Sequence, residues 1–199
     1  HHFQDYLDEK REYPDNEIGS EDIKIKNYAS AVNPTDIVSR SGLIKHFIKD
    51  FSLPCVPGMD FAGIVEEVGE NVKTGIKVGD SVMGMVMPNG VHGAYSDRLI
   101  LNQFAVVKIP KNTSFIEAAT LPMNGLTARL SLDLLNLKKG ETIAVTGGPG
   151  AYGGYVIQLA KADGLIVIAD SNESDLKLLK DLGADHIIPR GKNFVEEIR

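Results

Sequence analysis

Residues 144–170 read AVTGGPGAYGGYVIQLAKADGLIVIAD, and their reading decides the fold of the second half of the chain. The run TIAVTG that leads into this stretch has the length and composition of a buried strand. YVIQLAKADG carries apolar residues at helical spacing and stops at Gly164, and LIVIAD is a second buried strand. Between the first strand and the helix stand Gly147, Gly150 and Gly153, a G-x-x-G-x-x-G run. With no Cβ in the way, an anion can approach the amides of a helix N-terminus, where the helix dipole favours negative charge. A strand, a glycine turn, a helix and a second strand in this order form the dinucleotide-binding fingerprint, the third glycine letting the helix pack on its strand. Gly147, Gly150, Ala151, Tyr152 and Gly153 are the candidate cofactor contacts of the loop. Pro149 stiffens the turn, and Tyr152 is bulky where a small residue would pack easily. The plain structural alternative is a turn that binds nothing.

Asp170 ends the second strand, 23 residues after Gly147. A carboxylate at that distance can accept hydrogen bonds from the adenosine ribose, and by like charge it repels a 2′-phosphate. Asp175 follows, no Arg or Lys stands directly after Asp170, and Lys177 is the nearest base. On this pattern Asp170 and Ser171 complete the candidate cofactor contacts, and NAD(H) is expected over NADP(H). Asp170 has an alternative role as a cap of the next helix, shared with Ser171 and Asn172.

Working outward, NESDLKLLKDLG reads as a helix capped at Asn172, with Leu176, Leu179 and Leu182 as its apolar face and Gly183 closing it. HII begins a third strand. TARLSLDLLNLKKG, before the glycine loop, reads as a longer helix with Leu130, Leu134 and Leu137 on one face and Gly140 at its end. Ser114 and Glu117 make a capping box in SFIEAATLP. The second half is therefore β-α-β-α-β, which calls for a parallel sheet covered by helices. Two strands and the start of a third leave much apolar surface open, so the chain is expected to be a piece of a longer protein.

The first half reads differently. In DIKIKNYASAV, Ile23, Ile25, Ala29 and Ala31 alternate with Lys24, Lys26, Tyr28 and Ser30. FAGIVEEVG, KVGDSVMGMV, GAYSDRLIL and FAVVKIP supply further short strands between glycine turns, the pattern of a partly closed β-barrel or a sandwich. The domains expected are 1–115, β-rich, and 116–199, α/β.

Composition excludes several classes. The 199 residues are 43% hydrophobic and 24% charged, an ordinary globular balance. Net charge is −6 with the signs interspersed, against the basic surface that nucleic acid requires. No apolar run approaches the ~20 residues of a membrane helix. HHFQDYLDEK is polar and acidic, unlike a signal peptide, and His1 and His2 read equally as tag remnants or native residues. Cys55 is the single cysteine, so no intramolecular disulfide and no cysteine-based structural zinc site can form. A reducing, cytoplasmic setting fits.

VNPTDIVSRSG, PGMDFAGIVEEVGENV, VGDSVMG, GAYSDRLIL, EAATLPMNGLTA, GGPGAYGGYVIQLAK and LGADHII, in that order, resemble the medium-chain dehydrogenase/reductase superfamily, and within it the zinc-independent quinone-oxidoreductase branch that includes lens zeta-crystallin. The resemblance covers nearly the whole chain and roughly the first three-fifths of a typical member. It implies a GroES-like catalytic domain over 1–115, followed by a Rossmann dinucleotide-binding domain that is incomplete at 199. In zinc-dependent relatives a cysteine begins the segment matched by NPTD, and a Gly-His-Glu stretch supplies a histidine. Here those places hold Asn33 and Gly58-Met59-Asp60. A carboxamide and a thioether are poor substitutes for thiolate and imidazole on zinc. His46, His92 and His186 show no ligand spacing, so no metal site is expected.

Without a Lewis acid to steady an alkoxide, alcohol oxidation is disfavoured. Hydride addition to a quinone or an α,β-unsaturated carbonyl needs only hydrogen-bond donors for the developing oxyanion. The resemblance places Asn33 near the nicotinamide and the substrate as the catalytic candidate, and Thr127 beside the nicotinamide ring. Their structural alternatives are a turn residue before Pro34 and an ordinary helix position. Enoyl-thioester reductases of the superfamily carry a tyrosine near the asparagine. Val38 and Leu43 stand in the candidate places, no tyrosine lies between Asn33 and Phe51, and proton delivery falls to solvent. The function expected is an NAD(P)H-dependent reductase of a small quinone or enone. The alternatives are an enoyl-thioester reductase of the same fold and a non-catalytic nucleotide-binding protein. The resemblance further implies a homo-oligomer in the full-length protein, and from charge and hydropathy neither nucleic acid nor membrane is expected as partner.

Overall fold

The computed structural model describes residues 17–43, 56–87, 93–191 and 194–198. The chain parts into two compact units between Met123 and Asn124. Cys55, His46 and His92 lie outside the described residues.

The first unit is built on strands β1 (Asp22–Ser30), β2 (Asp60–Val68), β3 (Ser81–Met85), β4 (Arg98–Asn102) and β5 (Val106–Lys108), with helices α1 (Pro34–Arg40) and α2 (Phe115–Ala118). They form one antiparallel sheet in the order β4-β1-β2-β3-β5. The alternation in β1 does what a two-residue period requires. Ile23 and Ile25 point into the core with no exposed surface, joined by Phe61, Val65, Val82 and Leu99. Asn27 keeps the phase of Ile23 and Ile25, and the pairing with β2 shifts register between Asn27 and Ala29. Asn27 turns inward there, its Nδ2 donating to Ser30 Oγ and to the carbonyls of Ala94 and Ser96. The Ser114–Glu117 box forms as read: Ser114 N donates to Glu117 Oε2 at 2.9 Å, and Glu117 N to Ser114 Oγ at 3.3 Å.

The second unit holds strands β6 (Thr142–Val145), β7 (Ile166–Ser171) and β8 (His186–Pro189), parallel and in that order. Helices α4 (Ala151–Ala162) and α5 (Leu176–Leu182) are the crossovers, and α6 is Phe194–Glu197. Its core gathers Val145, Val156, Ile157, Ala160, Val167, Ala169 and Leu179. Helix α3 (Pro122–Leu135) runs across the division between the units. Two expectations for it are corrected. Leu130 and Leu134 are 62% and 86% exposed, whereas Ala128 and Leu132 are buried. Leucine spacing alone marks a stripe on a helix but not which stripe meets the core. The helix also stops at Leu135, because Asn136 takes a left-handed φ of 50°, and Gly140 instead turns the chain into β6. In α5, Gly183 closes the helix at φ 99° as read, but Leu176 is 40% exposed and Leu179 carries the contact. No helix among the described residues is long and apolar enough to cross a membrane.

Candidate active site and cofactor loop

In the first unit, Asn33 is the residue from which helix α1 starts, with Pro34 behind it supplying a pre-set φ at the first helical position. Its backbone N–H donates to Asp36 Oδ2 at 2.8 Å. Its side chain is turned toward β2, where Nδ2 donates to Asp60 Oδ2 at 2.6 Å. Asp60 opens β2 and has no exposed surface. Its second oxygen accepts from the backbone N–H of Met123 at 2.6 Å, in the first turn of α3. A buried carboxylate without partners would be costly. Here the two bonds and a helix N-terminus favour its charge. Burial still pushes the Asp60 carboxyl above the ordinary aspartate value, and the charge of Asp36 adds to that, against the bonds from Met123 and Asn33.

Tyr95 joins this cluster from the segment before β4. Its hydroxyl donates to Ala31 O at 3.3 Å, two residues from Asn33. Burial raises the Tyr95 hydroxyl above the usual phenol value, and the neighbouring carboxylates of Asp36 and Asp60 raise it further. Its ring lies over Gly58, where a Cβ would stand 2.5 Å from Tyr95 Cδ1. Asp60 and Tyr95 were not among the expected site residues. Asp60 stood in sequence only as part of the Gly-Met-Asp stretch, and Tyr95 lies 64 residues from the carbonyl it binds. Among the described residues, no three His, Cys, Asp or Glu side chains gather in a set that could hold a metal ion.

In the second unit, the glycine loop closes on itself. Gly147 takes a φ of 68°, a region open to glycine, and its Cβ direction meets open space. Gly150 N donates to Gly147 O at 2.9 Å, and Gly150 caps α4. A Cβ at Gly153 would run into the Gly147 carbonyl oxygen and lie 2.9 Å from Gly148 Cα, so only glycine permits this approach. The amides of Ala151, Tyr152 and Gly153 occupy the first turn of α4, where no helical acceptor is available. Open space at Gly147 and these amides fit a dinucleotide pyrophosphate. Tyr152 turns to α3, where its hydroxyl donates to Ser131 Oγ at 2.8 Å; Ser131 in turn donates to Thr127 O at 2.9 Å. The loop helix is thereby tied to the backbone of Thr127, which is exposed.

Asp170 lies at the end of β7 and folds back on the loop. Its Oδ1 accepts from Gly147 N at 2.7 Å and Gly148 N at 3.3 Å, and its Oδ2 from Arg190 Nε at 3.1 Å. Burial opposes ionisation, but Arg190 and the two amides outweigh it and hold the carboxyl below the ordinary aspartate value. Ser171 is 3% exposed, and its hydroxyl is given to Asn172 O at 2.6 Å rather than to the loop.

Residues 19–111 match the alcohol dehydrogenase GroES-like domain. The chain is similar to the 2-methylene-furan-3-one reductase of Solanum lycopersicum, 39% identical over 92% of this chain and 48% of that protein. It is 35% identical to the chloroplastic NADPH-dependent alkenal/one oxidoreductase of Arabidopsis thaliana, over 92% and 48% of the two chains. Among solved structures, the quinone oxidoreductase from Coxiella burnetii superposes with a TM-score of 0.80 at 31% identity, over 94% of this chain and 59% of that one. The chain thus spans about half the length of the curated relatives it matches.

Proposed function

The chain belongs to the quinone-oxidoreductase branch of the medium-chain dehydrogenase/reductase superfamily, and from that premise we propose a nicotinamide-dependent reductase that passes hydride to a quinone or an α,β-unsaturated carbonyl without a metal. Residues 1–115 are assigned the catalytic domain and 116–199 the nucleotide domain. The observation that carries the reading is the glycine loop, whose turn at Gly147 and contact at Gly153 leave the first amides of α4 for a pyrophosphate. Tyr152 is bonded to Ser131 on α3, which argues against a loop closed by its ring.

A nicotinamide dinucleotide held by the Gly147–Gly153 loop would supply hydride for the β-carbon of an enone or for a quinone ring. This chain's part is to receive the negative charge that then develops on the carbonyl oxygen. Asn33 is assigned that role, with Asp60 fixing its carboxamide. Val32 and Ile37, 74% and 63% exposed on either side of Asn33, suit an apolar substrate. The absence of metal chemistry is inferred from Asn33 and Met59 at the positions where zinc-dependent relatives carry cysteine and histidine. A second reading, enoyl-thioester reduction, gains one observation: Tyr95 brings a tyrosine hydroxyl to the Asn33 segment, where the local sequence has none.

The relatives' names support a nicotinamide cofactor. The preference for NAD(H) expected from Asp170 rested on like-charge repulsion, and Arg190 now offsets that charge. A homo-oligomer and a cytoplasmic setting belong to the same proposal. The test is nicotinamide oxidation by the full-length protein with an enone, a quinone and a 2-enoyl thioester, beside a nicotinamide titration. Turnover of the first two that falls at least tenfold in Asn33→Ala supports the reading. Nicotinamide binding with no turnover of any acceptor sinks the reductase and leaves a nucleotide-binding protein.

A further inference from the structure

A pyrophosphate on the first turn of α4 uses only the backbone N–H of Tyr152, yet the side chain there is a tyrosine where a small residue would pack easily. The ring is 40% exposed, and its fixed point is the hydroxyl. That hydroxyl donates to Ser131 Oγ at 2.8 Å, and Ser131 donates to Thr127 O at 2.9 Å. The direction of the relay follows from its end. A carbonyl only accepts, so Ser131 gives its one proton to Thr127 and takes the proton of Tyr152. The relay thus runs along one turn of α3 and ties it to the second residue of α4. All three residues belong to the second unit.

A dinucleotide laid on the amides of α4 by its pyrophosphate sends its two halves away from each other. One side of the loop is taken up by β7 and α5. Asp170 accepts from Gly147 N and Gly148 N, and a Cβ on Gly148 would stand 3.1 Å from both Ala169 Cβ and Leu179 Cδ2. The end of β7 is the adenosine side of such a site. Tyr152 leaves the loop in another direction, to α3. A flat ring held at its hydroxyl offers a fixed face, and aromatic rings pack on one another in defined orientations. We propose that Tyr152 seats the nicotinamide half of the cofactor: its ring bounds the α3 side of the cradle, and the relay to Ser131 and Thr127 fixes that ring, so that the nicotinamide takes one pose relative to the pyrophosphate. Hydride transfer depends on such a pose, because the reacting atoms must be aligned before the step. Tyr152 touches the cofactor, Ser131 is a positioning residue for Tyr152, and neither moves a proton in the reaction. The inference rests on the reading of the glycine loop as a nicotinamide dinucleotide site.

The test is a set of titrations of the full-length protein with NADH and with NADPH, followed by nicotinamide fluorescence, each then displaced by ADP-ribose. ADP-ribose keeps the adenosine and the pyrophosphate and lacks the nicotinamide. The proteins are wild type, Tyr152→Val, Tyr152→Phe, Ser131→Ala and the double variant of the last two. Tyr152→Val should weaken the dinucleotides roughly tenfold and ADP-ribose less than about twofold. Tyr152→Phe and Ser131→Ala should each weaken the dinucleotides about threefold to fivefold. The double variant should lose no more than either single one, because both cut the same relay. Retained ADP-ribose binding shows that a variant is folded. On the wild type alone, NMR should show magnetisation transfer between tyrosine ring protons and the nicotinamide protons of the bound cofactor, a measurement that needs no variant. Equal weakening of ADP-ribose and dinucleotide, unchanged dinucleotide binding in Tyr152→Val, or no transfer from a tyrosine ring overturns this inference and leaves the dinucleotide site standing. A wild type that binds neither cofactor overturns both.

Discussion

Asn33 and Asp60 form a buried hydrogen-bonded pair. Asp60 is a fully buried carboxylate that relies on Asn33 Nδ2 for one oxygen and Met123 N for the other. Asn33→Ala removes the first donor and leaves the oxygen buried, which is expected to cost about 1–3 kcal/mol in urea unfolding. Asn33→Asp should cost more, because it sets a second carboxylate against the first; a smaller loss than in Asn33→Ala would contradict the geometry. Asp170 supplies a pH test. Its native carboxyl lies below the ordinary 3.8, so the unfolded chain takes up its proton first as pH falls. The stability it contributes is complete above that value and is lost as pH falls through the lower native one. Asp170→Asn should therefore be less stable than wild type at pH about 6, with the gap closing below pH about 4. A gap that widens toward acid would reverse the sign and refute the pairing. At this scale the sequence showed that Asn33 and Asp170 stand at unusual places, but not what they touch.

At the scale of elements, helix α4 gives a paired test with two adjacent glycines. Gly153→Ala drives a methyl into the Gly147 carbonyl, and a loss of about 1–3 kcal/mol with weakened nicotinamide binding is expected. Gly154→Ala places its methyl 3.5 Å from Leu182 Cδ1, an ordinary contact, and should stabilise by about 0.5–1 kcal/mol through helix propensity. Thermal melts of the two variants moving in the same direction would count against the loop geometry. Helix α3 is the complementary case. Leu132→Ala should cost about 2–5 kcal/mol, while Leu134→Ala, at 86% exposure, should stay within about 0.5 kcal/mol. A larger cost at Leu134 than at Leu132 would mean that α3 is turned the other way. The existence of α3 and α4 was legible from spacing, the start of α2 from Ser114 and Glu117, and the end of α5 from Gly183. The inward face of α3 was not, since Leu130 and Leu134 make as good a stripe by spacing as Ala128 and Leu132, which are buried.

At the scale of the whole molecule, the first unit carries two hydrophobic clusters and the second unit one, and the clusters share no residue. Ile25→Ala in the first and Ile157→Ala in the second, both fully buried, should each cost about 2–5 kcal/mol, and the double variant should lose their sum to within about 0.5 kcal/mol. A larger coupling, read by denaturant titration of all four proteins, would mean that the cores are not independent. The sequence by itself determined the β-rich first half, the β-α-β second half and the glycine loop, because two-residue and helical periods, caps and glycine turns act over a few neighbouring positions. Once the family resemblance marks the zinc positions, it also tells that Asn33 and Met59 stand there. Only the tertiary structure decided that Asp60 lies beneath Asn33, 27 residues away, and that Arg190 reaches back 20 residues to Asp170. The second contact follows from the long-range register of β7 with β8 and the first from the hydrogen bonds that Asp60 accepts from Asn33 and Met123, and no local pattern of residues encodes them.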